Sequence, residues 1–172
     1  MSVSIPRRTF LLASLLPLPA GAFAQATRGR DDELQHVAAT LSYGAASLDA
    51  SRIALTKTTR PAVRRFAEFE IAEQETLAAL LSEIGEARNS IPPQRQPKTE
   101  ERADLKRMEE LSQGFDQAYV GAQIESHREL LELQERYLQR GQEPVFKAIA
   151  TLARGHIKEH LAVLEALQSE VT

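Results

Sequence analysis

The spacing of apolar residues near the C-terminus constrains this chain more than any other feature. Phe146, Ala150, Ala153, Ile157, His160, Leu164 and Leu167 follow one another at alternating steps of four and three. Steps of that size put every member on one stripe of an α-helix, and so regular a stripe is the seam along which helices of an antiparallel bundle meet. The rest of the chain after residue 30 keeps a helical rhythm. Alternating Val, Ile and Thr runs bounded by turn residues, the mark of strands, do not occur. An all-α fold is expected.

Breaks in the rhythm divide the chain. A first long helix is expected from about Asp31 to Thr59, with Val37, Leu41, Gly44, Leu48, Ser51 and Leu55 on one face. Pro61 suits the first position of a second helix carrying Val63, Phe66, Ile71, Leu77, Leu81 and Ile84. The stretch from Asn89, with Pro92, Pro93 and Pro97, reads as a linker. Thr99 followed by Glu100 and Glu101 opens a short helix that leads through Gly114 into a third long one, Phe115 to Arg140. Gly141 ends it, and Pro144 starts the fourth. The expected architecture is a four-helix bundle with a short extra helix in the second connection. Helix order leaves open whether residues 89–114 stay at one end or cross the bundle's length.

Ahead of the bundle, Arg7 and Arg8 precede an apolar run to Ala20, and Ala22-Phe23-Ala24 offers small residues for cleavage before Gln25. That is the order of an export signal. Arg7-Arg8-Thr9-Phe10-Leu11 resembles a twin-arginine leader, although Pro6 and Leu12 stand where that pattern has Ser or Thr and Lys. A Sec signal whose arginines supply only charge is the alternative. The run is short for a bilayer and contains Pro17 and Pro19. The expectation is a cleavable leader over 1–24, a flexible polar tail over 25–30, one domain over 31–172, and a periplasmic address. Losing the leader removes two of the 21 basic residues and none of the 24 acidic ones, leaving a formal charge of −5. Without a basic block, nucleic acid is not an expected partner. The absence of cysteine excludes disulfides, zinc–thiolate sites, iron–sulfur ligation and a thiol nucleophile.

Polar residues interrupt the apolar stripes at one height. At 1.5 Å per residue, Gln74 lies about 14 residues into its helix, His127 about 12 and His160 about 16, all near the middle. The first helix offers Gly44, Ala45 and Ala46 at that level, small residues that leave room. Glu70 and Glu73 lie within a turn of Gln74, and His156 and Glu159 beside His160. Two readings of this layer compete. In one, Gln74, His127 and His160 form a buried hydrogen-bonded network that fixes register. In the other, His127, His160, Glu73 and Glu70 hold a transition metal, since imidazole with carboxylate suits iron, zinc, copper or manganese. The first is favoured, because a di-iron bundle needs two inward Glu-x-x-His pairs, and the pair found, Glu33 with His36, lies far from the layer. His156 and His160 stand four apart on one helix face but lack the His-Glu-x-x-His order of zinc proteases. His36 reads as half-exposed, Asp116 with Tyr119 as a buried hydrogen bond, and Glu68, Glu70, Glu73 and Glu75 as a mostly solvated face.

Phe66-Ala67 with Glu73-Gln74, then Phe115-Asp116-Gln117-Ala118-Tyr119 with Gln123 and His127, then Ile157-Lys158-Glu159-His160-Leu161 resemble bacterial exported proteins of domain-of-unknown-function family 4142. The resemblance spans about residues 31–169 and implies a ferritin-like bundle with a crossover connection. His127 and His160 match two histidines of the family pattern, whereas Glu73-Gln74 stands where the family often has Asp-His. Replacing that histidine by an amide again favours the structural network. The leading expectation is an exported, non-catalytic bundle acting through its surface or in stress-related binding, with no cofactor. The alternative is a metal-binding or redox bundle. A protein partner or a second copy of the chain is left open.

Overall fold

The computed structural model describes residues 20–88 and 99–172. Five helices make it up: α1 (Ala20–Lys57), α2 (Pro61–Ala87), α3 (Thr99–Glu110), α4 (Phe115–Arg140) and α5 (Pro144–Val171), with no strand among the described residues. Residues 1–19 of the expected leader, including Arg7 and Arg8, lie outside the described residues, as do Pro92, Pro93 and Pro97. Pro61 and Pro144 each occupy the first turn of their helices, where a missing N–H costs nothing. Helix α1 begins well before the expected Asp31, and residues 25–30, expected as a polar tail, are helical. Ala20 to Ala26 is alanine-rich, and no proline falls between Ala20 and Asp31. Gly141 ends α4 with extended backbone rather than a left-handed turn; its missing Cβ would stand 2.6 Å from the Tyr137 ring.

Side-chain pairs fix the helix directions. Glu33 meets Arg88 and Arg52 meets Glu75, so α1 and α2 run antiparallel. Thr40 meets Gln134 while Ser51 meets Tyr119, so α1 and α4 are antiparallel as well. Arg128 with Glu165 and Glu135 with Lys158 pair α4 and α5 in opposite directions. Helices α2 and α4 are therefore parallel, and the segment between them must travel the length of the bundle. Within it, α3 lies over the α1–α4 groove, where Leu105 and Met108 pack on the core and Lys57 donates to the Glu109 carbonyl. This single long crossover is the ferritin-like arrangement.

The core falls into two apolar bodies. One gathers Ala54, Val63, Phe66, Phe115, Tyr119, Val120, Ile124, Leu164 and Leu167 near the α1–α2 turn. The other gathers Val37, Leu81, Tyr137, Phe146 and Ala150 at the opposite end. Each large side chain so enclosed stabilises the fold by about 1.5–3 kcal/mol. The α5 stripe supplies both, and His160 lies between them. On α1 the buried line runs through Val37, Thr40, Gly44, Ser47, Ser51 and Ala54, with Leu41, Leu48 and Leu55 only half-buried. Hydrophobicity misplaced the centre of this face, because small hydroxyl residues are buried readily once hydrogen-bonded.

His36, expected half-exposed, is enclosed in the second body. Its ring stacks on Tyr137 with centroids 3.9 Å apart, and its Nδ1 has no hydrogen-bond partner. Burial lowers its pKa to about 4. The unfolded chain binds this proton below about pH 6.5 and the folded chain does not until about 4. The neutral ring thus contributes stability that is full above pH 6.5 and lost as pH falls toward 4. His36→Phe should make urea-unfolding free energies less dependent on pH across that window; an unchanged slope would show that the ring accepts its proton without cost.

Candidate metal centre

Between the two apolar bodies lies a layer of buried polar side chains, one or two from each long helix. Helix α1 contributes Ser47, α2 Glu70 and Gln74, α4 Gln123 and His127, and α5 His160. Glu70 is the centre of the layer. It is completely buried, although its neighbours Glu68 and Glu75 are exposed and Glu73 is half-buried, so the expected solvated face fails at this one residue. Its Oε1 accepts from Ser47 Oγ at 2.6 Å and from Gln74 Nε2 at 3.0 Å. Ser47 Oγ lies equally close, 2.6 Å, to Gln123 Oε1. With one proton to give, the hydroxyl serves one of the two oxygens at a time.

The other carboxylate oxygen, Glu70 Oε2, lies 3.1 Å from His160 Nδ1 and 3.4 Å from His127 Nε2. The two ring nitrogens are 3.2 Å from each other. Despite these short distances Oε2 accepts no aligned hydrogen bond, leaving a buried acceptor aimed at the point where both rings converge. These three donor atoms belong to one tight group. Two ligand atoms that share an ion at about 2.0–2.2 Å, at angles between octahedral and tetrahedral, stand about 2.8–3.6 Å apart. All three separations fall in that interval.

The far side of the His127 ring fixes its tautomer. His127 Nδ1 lies 2.8 Å from the Gln123 carbonyl oxygen, which can only accept, so Nδ1 carries the proton and Nε2 faces the centre. His127 Nε2 can then only accept, so His160 Nδ1 donates to it at 3.2 Å, and the outward Nε2 of His160 lies 3.4 Å from Glu73 Oε2. Such outer partners orient metal-ligating histidines. Burial by itself would raise the Glu70 pKa, but the adjacent His127 and His160 rings and the Ser47 hydroxyl outweigh it and hold the carboxyl far below the usual range. Burial would lower that of His160, and Glu70 and Glu73 together overturn it upward. The buried carboxylate thus favours positive charge beside it, which a bound cation would supply.

The sequence-derived residues divide clearly. The fold brings together Glu70, His127 and His160; it places Glu73 one shell out, and Glu159 faces solvent. Gln74 does not close a ring with the histidines, because its amide bonds Glu70 instead. Asp116 and Tyr119 do not bond each other: Asp116 pairs with Arg60, and the Tyr119 hydroxyl lies 2.8 Å from Ser51 Oγ. Ser47 and the Gln123 side chain escaped notice as site residues. Their signal was a small or amide residue on the inward stripe, visible only once the stripe on α1 is centred correctly.

Gly44 makes room for this layer. A Cβ there would come within 2.3 Å of Gln74 Oε1. Gly44→Ala gains about 1 kcal/mol of helix propensity. It must also push the Gln74 amide off the Glu70 carboxylate, a bond worth about 1.5–3 kcal/mol. A net loss of about 1 kcal/mol is expected in urea unfolding, and the sign should reverse in a Gln74→Ala background. Loss of the same size in both backgrounds would mean that the close approach costs nothing.

A family model described as "Domain of unknown function (DUF4142)" matches residues 18–167, and the chain belongs to that family. Comparison with curated proteins gives no match. The chain is similar in fold to a DUF305 fragment from Deinococcus radiodurans seen in a crystal structure. The two share 15% identity at a TM-score of 0.73, over 81% of this chain and 96% of that one.

Proposed function

We propose that this DUF4142 chain is a metal-binding protein that holds one divalent transition-metal ion on Glu70, His127 and His160. The observation that carries the reading is the triangle of Oε2, Nε2 and Nδ1, with sides of 3.1, 3.4 and 3.2 Å around a carboxylate oxygen that has no aligned hydrogen bond. A purely structural network would be expected to satisfy that oxygen, since a buried, unpaired acceptor costs about 1–3 kcal/mol. Two imidazoles and one carboxylate suit iron(II), zinc, manganese or copper(II), and the missing thiolates disfavour copper(I). Three protein ligands leave further coordination positions to water or a small ligand. The ion would supply the positive charge that the buried Glu70 carboxylate favours, with Gln123 and Glu73 beside the outer edges of the rings.

The proposed address is the periplasm. Support comes from Arg7-Arg8, the apolar run behind them and the Ala22-Phe23-Ala24 site.

Calorimetric titration of chelator-treated protein with Zn²⁺ should give one ion per chain. At a free concentration of 100 times Kd, the ion should add about 2.7 kcal/mol of stability, seen as a higher unfolding midpoint. His127→Ala and Glu70→Gln should abolish both effects, whereas Gln74→Ala should keep them. Absence of binding, or binding indifferent to His127→Ala, would refute the assignment.

A further inference from the structure

We infer that Glu73 holds an incoming ion first with His156 and then with the outward nitrogen of His160, a succession of outer pairs through which the ion is loaded into the buried centre. The inference rests on the metal-centre reading and adds to it a path and an order of events.

The antiparallel register of α2 and α5 generates this second position. Glu70 faces His160, so one turn further along α2 and one turn back along α5, Glu73 faces His156. Glu73 Oε2 lies 3.3 Å from His156 Nδ1 and 3.4 Å from His160 Nε2. Those are again separations that two ligands of one ion adopt. Exposure rises along the series: Glu70 is 0% exposed, His160 16%, Glu73 25% and His156 57%. The four side chains form an unbroken chain of carboxylate and imidazole from the dry core to water.

Packing opens the bundle at the same place. Helices α2 and α5 approach each other less closely than the other neighbouring pairs of long helices. A groove of about 430 Å³ runs between them, walled by Leu77, Leu80, Ile149 and Leu152, with Glu73 and His156 among its lining groups. In an otherwise apolar groove, this carboxylate and this imidazole are the groups that attract a cation. Stripping a divalent ion of all its water in one step is prohibitive, so ligands must replace water in succession. A half-exposed carboxylate with an imidazole makes the first replacement.

His160 belongs to both positions, and its proton sets the sequence. A neutral imidazole has one N–H. With the ion on Nε2, the proton sits on Nδ1, 3.1 Å from Glu70 Oε2; with the ion on Nδ1, it sits on Nε2, 3.4 Å from Glu73 Oε2. One ring cannot ligate at both nitrogens without giving up its last proton. The two positions therefore exclude each other: transfer inward releases the Nδ1 proton to solvent and takes one up from solvent at Nε2, with no net change in protons bound.

The test is the rate of Co²⁺ uptake by the metal-free full chain, followed by the visible absorption of the bound ion after rapid mixing. His156→Ala alters an exposed residue outside the inner centre. It should slow loading and release alike severalfold, with affinity and the stoichiometry of one ion per chain unchanged, because a group that acts only on the path alters both rates equally. His156→Asp, which restores a ligand at the mouth, should restore the rate. Wild-type rates in His156→Ala, or no recovery in His156→Asp, would overturn the loading path while one bound Co²⁺ left the buried centre standing. Two ions per chain at saturation would overturn the handover, and no uptake by the wild-type chain would overturn both readings.

Discussion

A fully buried carboxylate at the middle of the bundle sets the terms for everything around it. An ionised Glu70 would be intolerable in an apolar interior without compensating groups, and the fold supplies them from every long helix. Ser47 and Gln74 take one oxygen, and His127 and His160 flank the other. The register of four helices is thereby tied to one side chain. A slip of one turn in any of them would strand the charge, so the polar layer specifies alignment that two greasy clusters could not specify alone.

The same demand explains the division of the core. Aromatic and aliphatic groups gather at both ends, where nothing polar competes, and leave a central slab of hydroxyl, amide, imidazole and carboxylate. Phe66 caps the slab on one side, its ring centroid 5.4 Å from that of His160 and 6.1 Å from that of His127. Apolar walls keep water out and strengthen the electrostatic interactions inside. On the proposed metal-binding reading, a cation reaching the slab would meet rings flanked by Gln123 and Glu73, at little cost in reorganisation.

Much of the fold was legible in the residues, because prolines at helix starts and a four-three stripe are local signals. Helix boundaries from Pro61 onward follow from them, and His160 was placed inward by its position between Ile157 and Leu164. Counting residues from helix ends also set Gln74, His127 and His160 at one height. The reading went astray where burial depends on a partner rather than on hydrophobicity. Glu70 looked like one acid among four, and only the two histidines opposite explain why it is enclosed. His36 looked half-exposed because its burial depends on Tyr137, about a hundred residues away. The Gly44 notch was legible as a small residue, but not as the space that Gln74 fills.

Sequence by itself determined that the chain is helical, where most helices begin and end, and that His127 and His160 point inward, since each depends on periodicity and backbone preferences within a few residues. Tertiary structure decided the crossover between α2 and α4, because residues 89–114 can close either topology and only side-chain packing between helices chooses. It also decided that Glu70 rather than Gln74 sits at the centre. That outcome depends on a few ångströms of helix rotation, which no local pattern encodes and which the pairing of buried charge fixes.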